Sequence, residues 1–260
     1  MLKGIIYFLV IVLANTVGAV SGMGGGVIIK PVLDFIAADP VVVVSFYSSV
    51  AVFVMSMTST VRQAKGGVTV QWRLMAWIAA GSILGGFLGN HTFDFFLANF
   101  SDDTVIKLIQ IGLTIVTLLF ALFYNHFNFR KFHLTAKIWY FICGLILGFL
   151  ASLLGIGGGP INVSLLILMF GVPIKEATVY SICTIFFSQL AKLVTIAFYS
   201  GFGRYDLTML FYVIPAAIIG GFVGAKVSQS ISSKQVSQIF EAVVLLVLCI
   251  NLYNGFQLFF

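Results

Sequence analysis

Apolar residues run along this chain in stretches of about 20, separated by short polar or glycine-rich breaks. The first run, 4–22, ends in Gly-x-Gly-Gly-Gly (Gly22, Gly24, Gly25, Gly26), and a run of about a dozen residues, 27–38, comes after it. Longer runs at 41–62, 72–91 and 103–124 complete the first half. The second half has the same order: 137–154, a break at Gly155, Gly157, Gly158 and Gly159, then 160–171, 174–198, 206–225 and 235–254. A helix of about 20 apolar residues crosses about 30 Å of hydrocarbon, and the period-2 alternation of a membrane barrel is absent. The pattern predicts an all-α, polytopic helical membrane protein.

The two halves keep register residue by residue. Gly22 pairs with Gly155, Pro40 with Pro173 and Tyr47-Ser48 with Tyr180-Ser181, all at an offset of 133. Gly85-Gly86-Phe87-Leu88-Gly89 pairs with Gly220-Gly221-Phe222-Val223-Gly224 at 135. Such register indicates an internal duplication: a first repeat at 1–124, a cytoplasmic linker at 125–136 and a second repeat at 137–260. The short runs after the glycines, about 18 Å as helices, do not cross a bilayer unaided. If each completes a broken span, a repeat crosses five times and the repeats are inverted; if each is re-entrant, a repeat crosses four times and they are parallel. The inverted arrangement puts ten cations inside (Arg62, Lys65, Arg73, Arg130, Lys131, Lys137, Lys30, Lys175, Lys226, Lys234) and leaves Lys3, Lys107 and Arg204 outside, against eight and five for the parallel one. The excess of cytoplasmic cations favours inversion.

Composition agrees with the pattern. Hydrophobic residues make up 60% of the chain and charged ones 8%, where soluble proteins have about a quarter charged. The net charge of +6 falls at the ends of apolar runs, so it reads as orientation signal, and nucleic acid is excluded as a partner. Cys143, Cys183 and Cys249 lie inside apolar runs without metal-site spacing and read as packing residues. The first run has a mid-chain counterpart, so it is expected to be a retained helix rather than a cleaved leader. No nucleotide loop, His-Glu-x-x-His or nucleophile-elbow pattern occurs, which leaves ATP-driven transport and the common hydrolytic chemistries without residues.

The glycine breaks carry the candidate chemistry. Three glycines ahead of a helix expose backbone N–H groups at a positive dipole end, an arrangement suited to an anion and used where transporter helices break in mid-membrane. Gly24, Gly25 and Gly26 with Gly157, Gly158 and Gly159 are therefore candidate substrate contacts; the alternative is that they only permit close packing. The helix after the second break has a polar face, Ser181, Thr184, Ser188, Lys192 and Thr195, with Gln189 beside it; the first-half counterpart has Ser45, Ser48, Ser49, Ser56, Ser59 and Arg62. Hydroxyls there either replace an oxyanion's hydration shell or bond back to their own helix. Lys192, an ammonium inside an apolar helix, is either functional or snorkels to the interface. Lys30 and Asp34 stand i, i+4 and neutralise one another, Asn162 is a further candidate contact, and Asp206, Glu176 and Asp102-Asp103 sit where helix-start carboxylates belong. Pro160 suits a first helical turn.

A duplicated chain of this length, with Gly-x-Gly-Gly-Gly after the first helix of each half, a Pro before the next long helix and Gly-Gly-Phe-x-Gly later, resembles the TauE/SafE family of membrane transporters from about Gly4 to Phe256. The resemblance implies a non-enzymatic protein of the cell membrane that moves a small, sulfur-containing oxyanion such as sulfite or an organosulfonate. As a secondary transporter it would need no cofactor and no metal. Its partners would be the bilayer, the anionic substrate and a coupling ion, proton or sodium, with an oligomer allowed. A passive anion channel is the rival, and an intramembrane enzyme a more distant one.

Overall fold

The computed structural model describes residues 2–36, 39–64, 71–100, 102–127 and 131–258. Among these residues ten α-helices succeed one another: α1 Leu2–Ser21, α2 Gly26–Ile36, α3 Val41–Ala64, α4 Trp72–Asn99, α5 Asp103–Phe127, α6 Lys137–Leu153, α7 Pro160–Phe170, α8 Ile174–Thr195, α9 Leu210–Ser230 and α10 Ser233–Gln257. No strand occurs among the described residues. Seven helices among these residues are long and apolar enough to cross a membrane. The protein is a polytopic helical membrane protein. Lys65 and Arg130 of the charge argument, and parts of the 27–38 run and of the 125–136 linker, lie outside the described residues.

Each short helix turns back along the helix before it. Asp39, just beyond α2, accepts from the hydroxyl of Tyr7 and pairs with Lys3 at 2.6 Å, both near the start of α1. In the second half the ring of Phe170, the last residue of α7, stacks on Tyr140 near the start of α6 at 3.9 Å. The segment leading into α6 is tied to the end of α7 by Phe132 N–H to Leu168 O and Leu134 N–H to Met169 O. So α1–α2 and α6–α7 are hairpins, each with both ends at one end of the bundle.

The hairpins enter from opposite ends. At the end holding Lys3, Val41 N–H donates to Asp103 and the Tyr47 hydroxyl donates to Asp206 O at 2.9 Å. At the end holding Lys137, Gln71 N–H donates to the Tyr180 hydroxyl and Gln229 to Arg62 O, both at 3.1 Å. A hairpin that returns to its own side, succeeded by three full-length helices, makes an odd number of passages. The count of four crossings for a re-entrant repeat took α1 apart from α2, whereas the two pair here as one hairpin.

Packing crosses between the halves: α1 lies on α9 and α4 on α6, α3 touches α9 and α4 touches α8, α2 packs on α10 and α5 on α7. The Gly-Gly-Phe motifs of both halves supply the close approach. A Cβ on Gly85 would stand 2.1 Å from Leu145 O of α6, and one on Gly224 2.3 Å from Thr16 O of α1. Small residues let backbones approach where the bilayer gives no hydrophobic drive between helices. Outside the bundle, Asp206 and Asp102 cap the turns after them, and hydrogen bonds from Thr208 and Thr104 hold both carboxyls below the usual range.

Candidate functional site

The two glycine breaks form the hairpin tips, and the tips touch. Gly24 N–H donates to Gly18 O at 3.3 Å and Gly157 N–H to Ala151 O at 3.2 Å, the same bond at an offset of 133. Gly24 and Gly157 have φ of +78° and +67°, a left-handed backbone that glycine adopts without strain. A Cβ on Gly26 would stand 1.8 Å from Ile156 O, and one on Gly158 3.0 Å from Met23 O. The start of α2 is thus pressed onto the second tip. Gly25 faces Asn15, whose amide donates to Ala51 O at 3.3 Å while its Oδ1 has no partner. Gly159, with extended backbone, faces open space apart from Ile156 Cδ1 at 3.5 Å.

Helices α3 and α8 pack together beside the tips and turn their polar faces inward. Ser45, Ser48, Ser49, Ser56, Ser59, Ser181, Thr184, Ser188, Gln189, Lys192 and Thr195 are all buried. Their hydrogen-bond partners differ. Thr184 bonds back to Tyr180 O, Ser188 to Ile185 O and Thr195 to Ala191 O, each within its own helix. Ser181 instead donates to Gly22 O and ties α8 to the first tip. The hydroxyl of Ser48, next to the start of α2, has no partner; neither has Gln189 Oε1, nor Asn162 Nδ2 in the first turn of α7.

Lys192 does not snorkel. It is 1% exposed; its Nζ donates to Ser45 Oγ at 2.8 Å and to Ser152 O at 3.3 Å, with the Phe93 ring at 5.5 Å. Ser152 is in the last turn of α6, so the ammonium sits at the negative end of that helix dipole. The ion pairs among the described residues are Lys3–Asp39 and Lys30–Asp34, the latter at 2.8 Å within α2, as the spacing predicts. Lys192 thus has no carboxylate at ion-pair distance; the charges of Asp94 and Lys30 act on it from farther away. Ser152 contributes through its carbonyl, which no side-chain pattern signals. Gln63, a turn beyond Ser59 on the same face, is buried with neither amide atom partnered; its spacing from Ser59 was the available sign.

Long apolar helices around a buried polar seam that holds Lys192 make this a multi-pass helical membrane protein. Residues 7–252 match the family model described as sulfite exporter TauE/SafE, and the chain belongs to that family. It is similar to the probable membrane transporter protein YunE of Bacillus subtilis, 28% identical over 94% of this chain and 95% of that one. It is also similar to the probable membrane transporter protein MJ0441 of Methanocaldococcus jannaschii, 27% identical over 85% of each chain. No solved structure matches.

Proposed function

We propose that this protein is a secondary transporter of a small oxyanion of the sulfite or organosulfonate kind, held between Lys192, Ser48 and the second glycine tip. The observation that carries this reading is Lys192, a fully buried ammonium with no carboxylate at ion-pair distance among the described residues. A buried charge without a paired counter-charge is costly, and an anion that supplies one binds with that cost recovered. The start of α7 adds the positive end of a helix dipole beside Gly159, where a Cβ would meet only Ile156 Cδ1, and Asn162 adds an amide N–H pair without a partner. The repeats are inverted, and the Lys137 end faces the cytoplasm: Arg62, Arg73, Lys131, Lys137, Lys175, Lys226 and Lys234 gather there and Lys3, Lys107 and Arg204 at the other end. Proton or sodium is the coupling ion, and rocking of the halves alternates access to the seam.

The test is binding and uptake of sulfite, sulfate, thiosulfate and organosulfonates by purified wild-type protein and Lys192→Met in proteoliposomes. The variant should keep its stability within about 1 kcal/mol, since an apolar side chain of similar length replaces a desolvated charge. Its affinity for the anion should fall about 100-fold, the loss of one strong charge-assisted contact. Unchanged affinity in folded Lys192→Met would overturn the assignment. Strictly downhill flux, insensitive to proton and sodium gradients, would make the protein a channel.

A further inference from the structure

The polar face of α3 runs Ser45, Ser48, Val52, Ser56, Ser59 and that of α8 runs Thr178, Ser181, Ile185, Ser188, Lys192. Each is broken once, at its middle, by an aliphatic residue, and Val52 and Ile185 are counterparts at the offset of 133. Both are 0% exposed. Both aim at the glycine tips: a Cβ on Gly24 would stand 3.1 Å from Ile185 Cδ1 and 3.5 Å from Val52 Cγ1. A Cβ on Gly157 would stand 2.7 Å from Val52 Cγ1, and one on Gly158 2.5 Å from Ile185 Cδ1. The two side chains therefore fill the junction where the tips meet. On one side of this plug lie Ser45, Ser48 and Lys192; on the other lie Ser59, Thr178 and Ser181.

Resting on the transporter reading above, we infer that Val52 and Ile185, closed against Gly24, Gly157 and Gly158, are the barrier that an anion must pass between the two sides of the membrane. A dry aliphatic constriction strips an ion of its hydration shell and offers nothing in exchange, so it blocks the ion while the polar rows on either side accept it. The glycines are the matching half of the device, because a Cβ at Gly157 or Gly158 would press into the two side chains. Passage requires the tips to withdraw from Val52 and Ile185, and the hairpins are the elements that carry them.

Wild-type protein and Val52→Ala/Ile185→Ala are reconstituted in liposomes with entrapped chloride and a halide-quenched fluorophore. The expected result of opening an apolar gate is downhill chloride efflux at least about tenfold above the wild-type rate, with sulfite no longer held against a gradient. Wild-type efflux in a folded variant that still accumulates sulfite overturns the barrier. Should the double variant fail to fold, Val52→Ala and Ile185→Val alone carry the same readout, and wild-type efflux in both overturns it. Wild-type protein that takes up no oxyanion overturns the transporter reading instead, and the comparison of chloride efflux still decides on the barrier.

Discussion

Among side chains, hairpin α1–α2 closes with charge and hydroxyl, Lys3 and Tyr7 on Asp39, whereas hairpin α6–α7 closes with an aromatic stack, Tyr140 on Phe170, beside the backbone bonds from Phe132 and Leu134. Their tips share left-handed glycines and the same backbone hydrogen bond. Beyond the tips the two hairpins diverge again. Helix α2 opens with Gly26 jammed against Ile156 O and carries its own neutral ion pair, Lys30–Asp34. Helix α7 opens with Gly159 beside open space and carries Pro160 and the free amide of Asn162. Common backbone with divergent side chains teaches that tip geometry and tip chemistry are separate properties. The first hairpin is built to be held and the second to leave room, which agrees with an anion seated on the second.

Breaking the ion pair gives the largest effect. Lys30 is 4% exposed, and Lys30→Met leaves Asp34 in α2 without its cation; the expected loss is about 3–5 kcal/mol of stability in detergent unfolding. Lys30→Met/Asp34→Leu should recover most of it, and a second loss on top of the first would show that the pair is not the cause. Next in size is the contrast between the tips. Gly26→Ala should cost about 3 kcal/mol, because the obstructing atoms are backbone and cannot swing away, whereas Gly159→Ala should stay within about 0.5 kcal/mol. Equal effects at the two positions in thermal unfolding would remove the asymmetry.

Much of the fold was legible from residue order. The existence and order of the long helices, the two breaks and the neutral pair at Lys30 and Asp34 are dictated by apolar run length, glycine clusters and i, i+4 spacing, whereas α4 runs on to Asn99 and α9 spans Leu210–Ser230, displaced from the expected 72–91 and 206–225. The hairpins were not, because a half-length apolar run is compatible with continuing or returning, and the contacts that decide it join Asp39 to Tyr7 and Phe170 to Tyr140 across about 30 residues. At the site, Lys192 was legible as a cation on a polar face, but its burial was not, because the same position allowed snorkelling. Its partners were not: Ser45 lies in the other half, and Ser152 bonds through its carbonyl. The same holds for Val52 and Ile185, whose interruption of two polar faces acquires meaning only when the tips are seen to close on them.

The smallest effect separates the two closures of the hairpins. Tyr7 and Tyr140 are counterparts at the offset of 133, both buried, but Tyr7 holds Asp39 by its hydroxyl and Tyr140 holds Phe170 by its ring. Tyr7→Phe removes one hydrogen bond to a carboxylate and keeps the ring, so it should cost about 1 to 2 kcal/mol. The exposed Lys3–Asp39 pair contributes little by itself and cannot make up the difference. Tyr140→Phe keeps the whole stacked face, so its unfolding midpoint should move by less than about 0.5 kcal/mol equivalent. Tyr140→Ala, in contrast, should cost at least as much as Tyr7→Phe, since stack and buried area go together. If Tyr140→Phe proved the more damaging of the two phenylalanine variants, the second hairpin would be held by its hydroxyl like the first, and the contrast between a clamped tip and a roomy one would lose its structural basis.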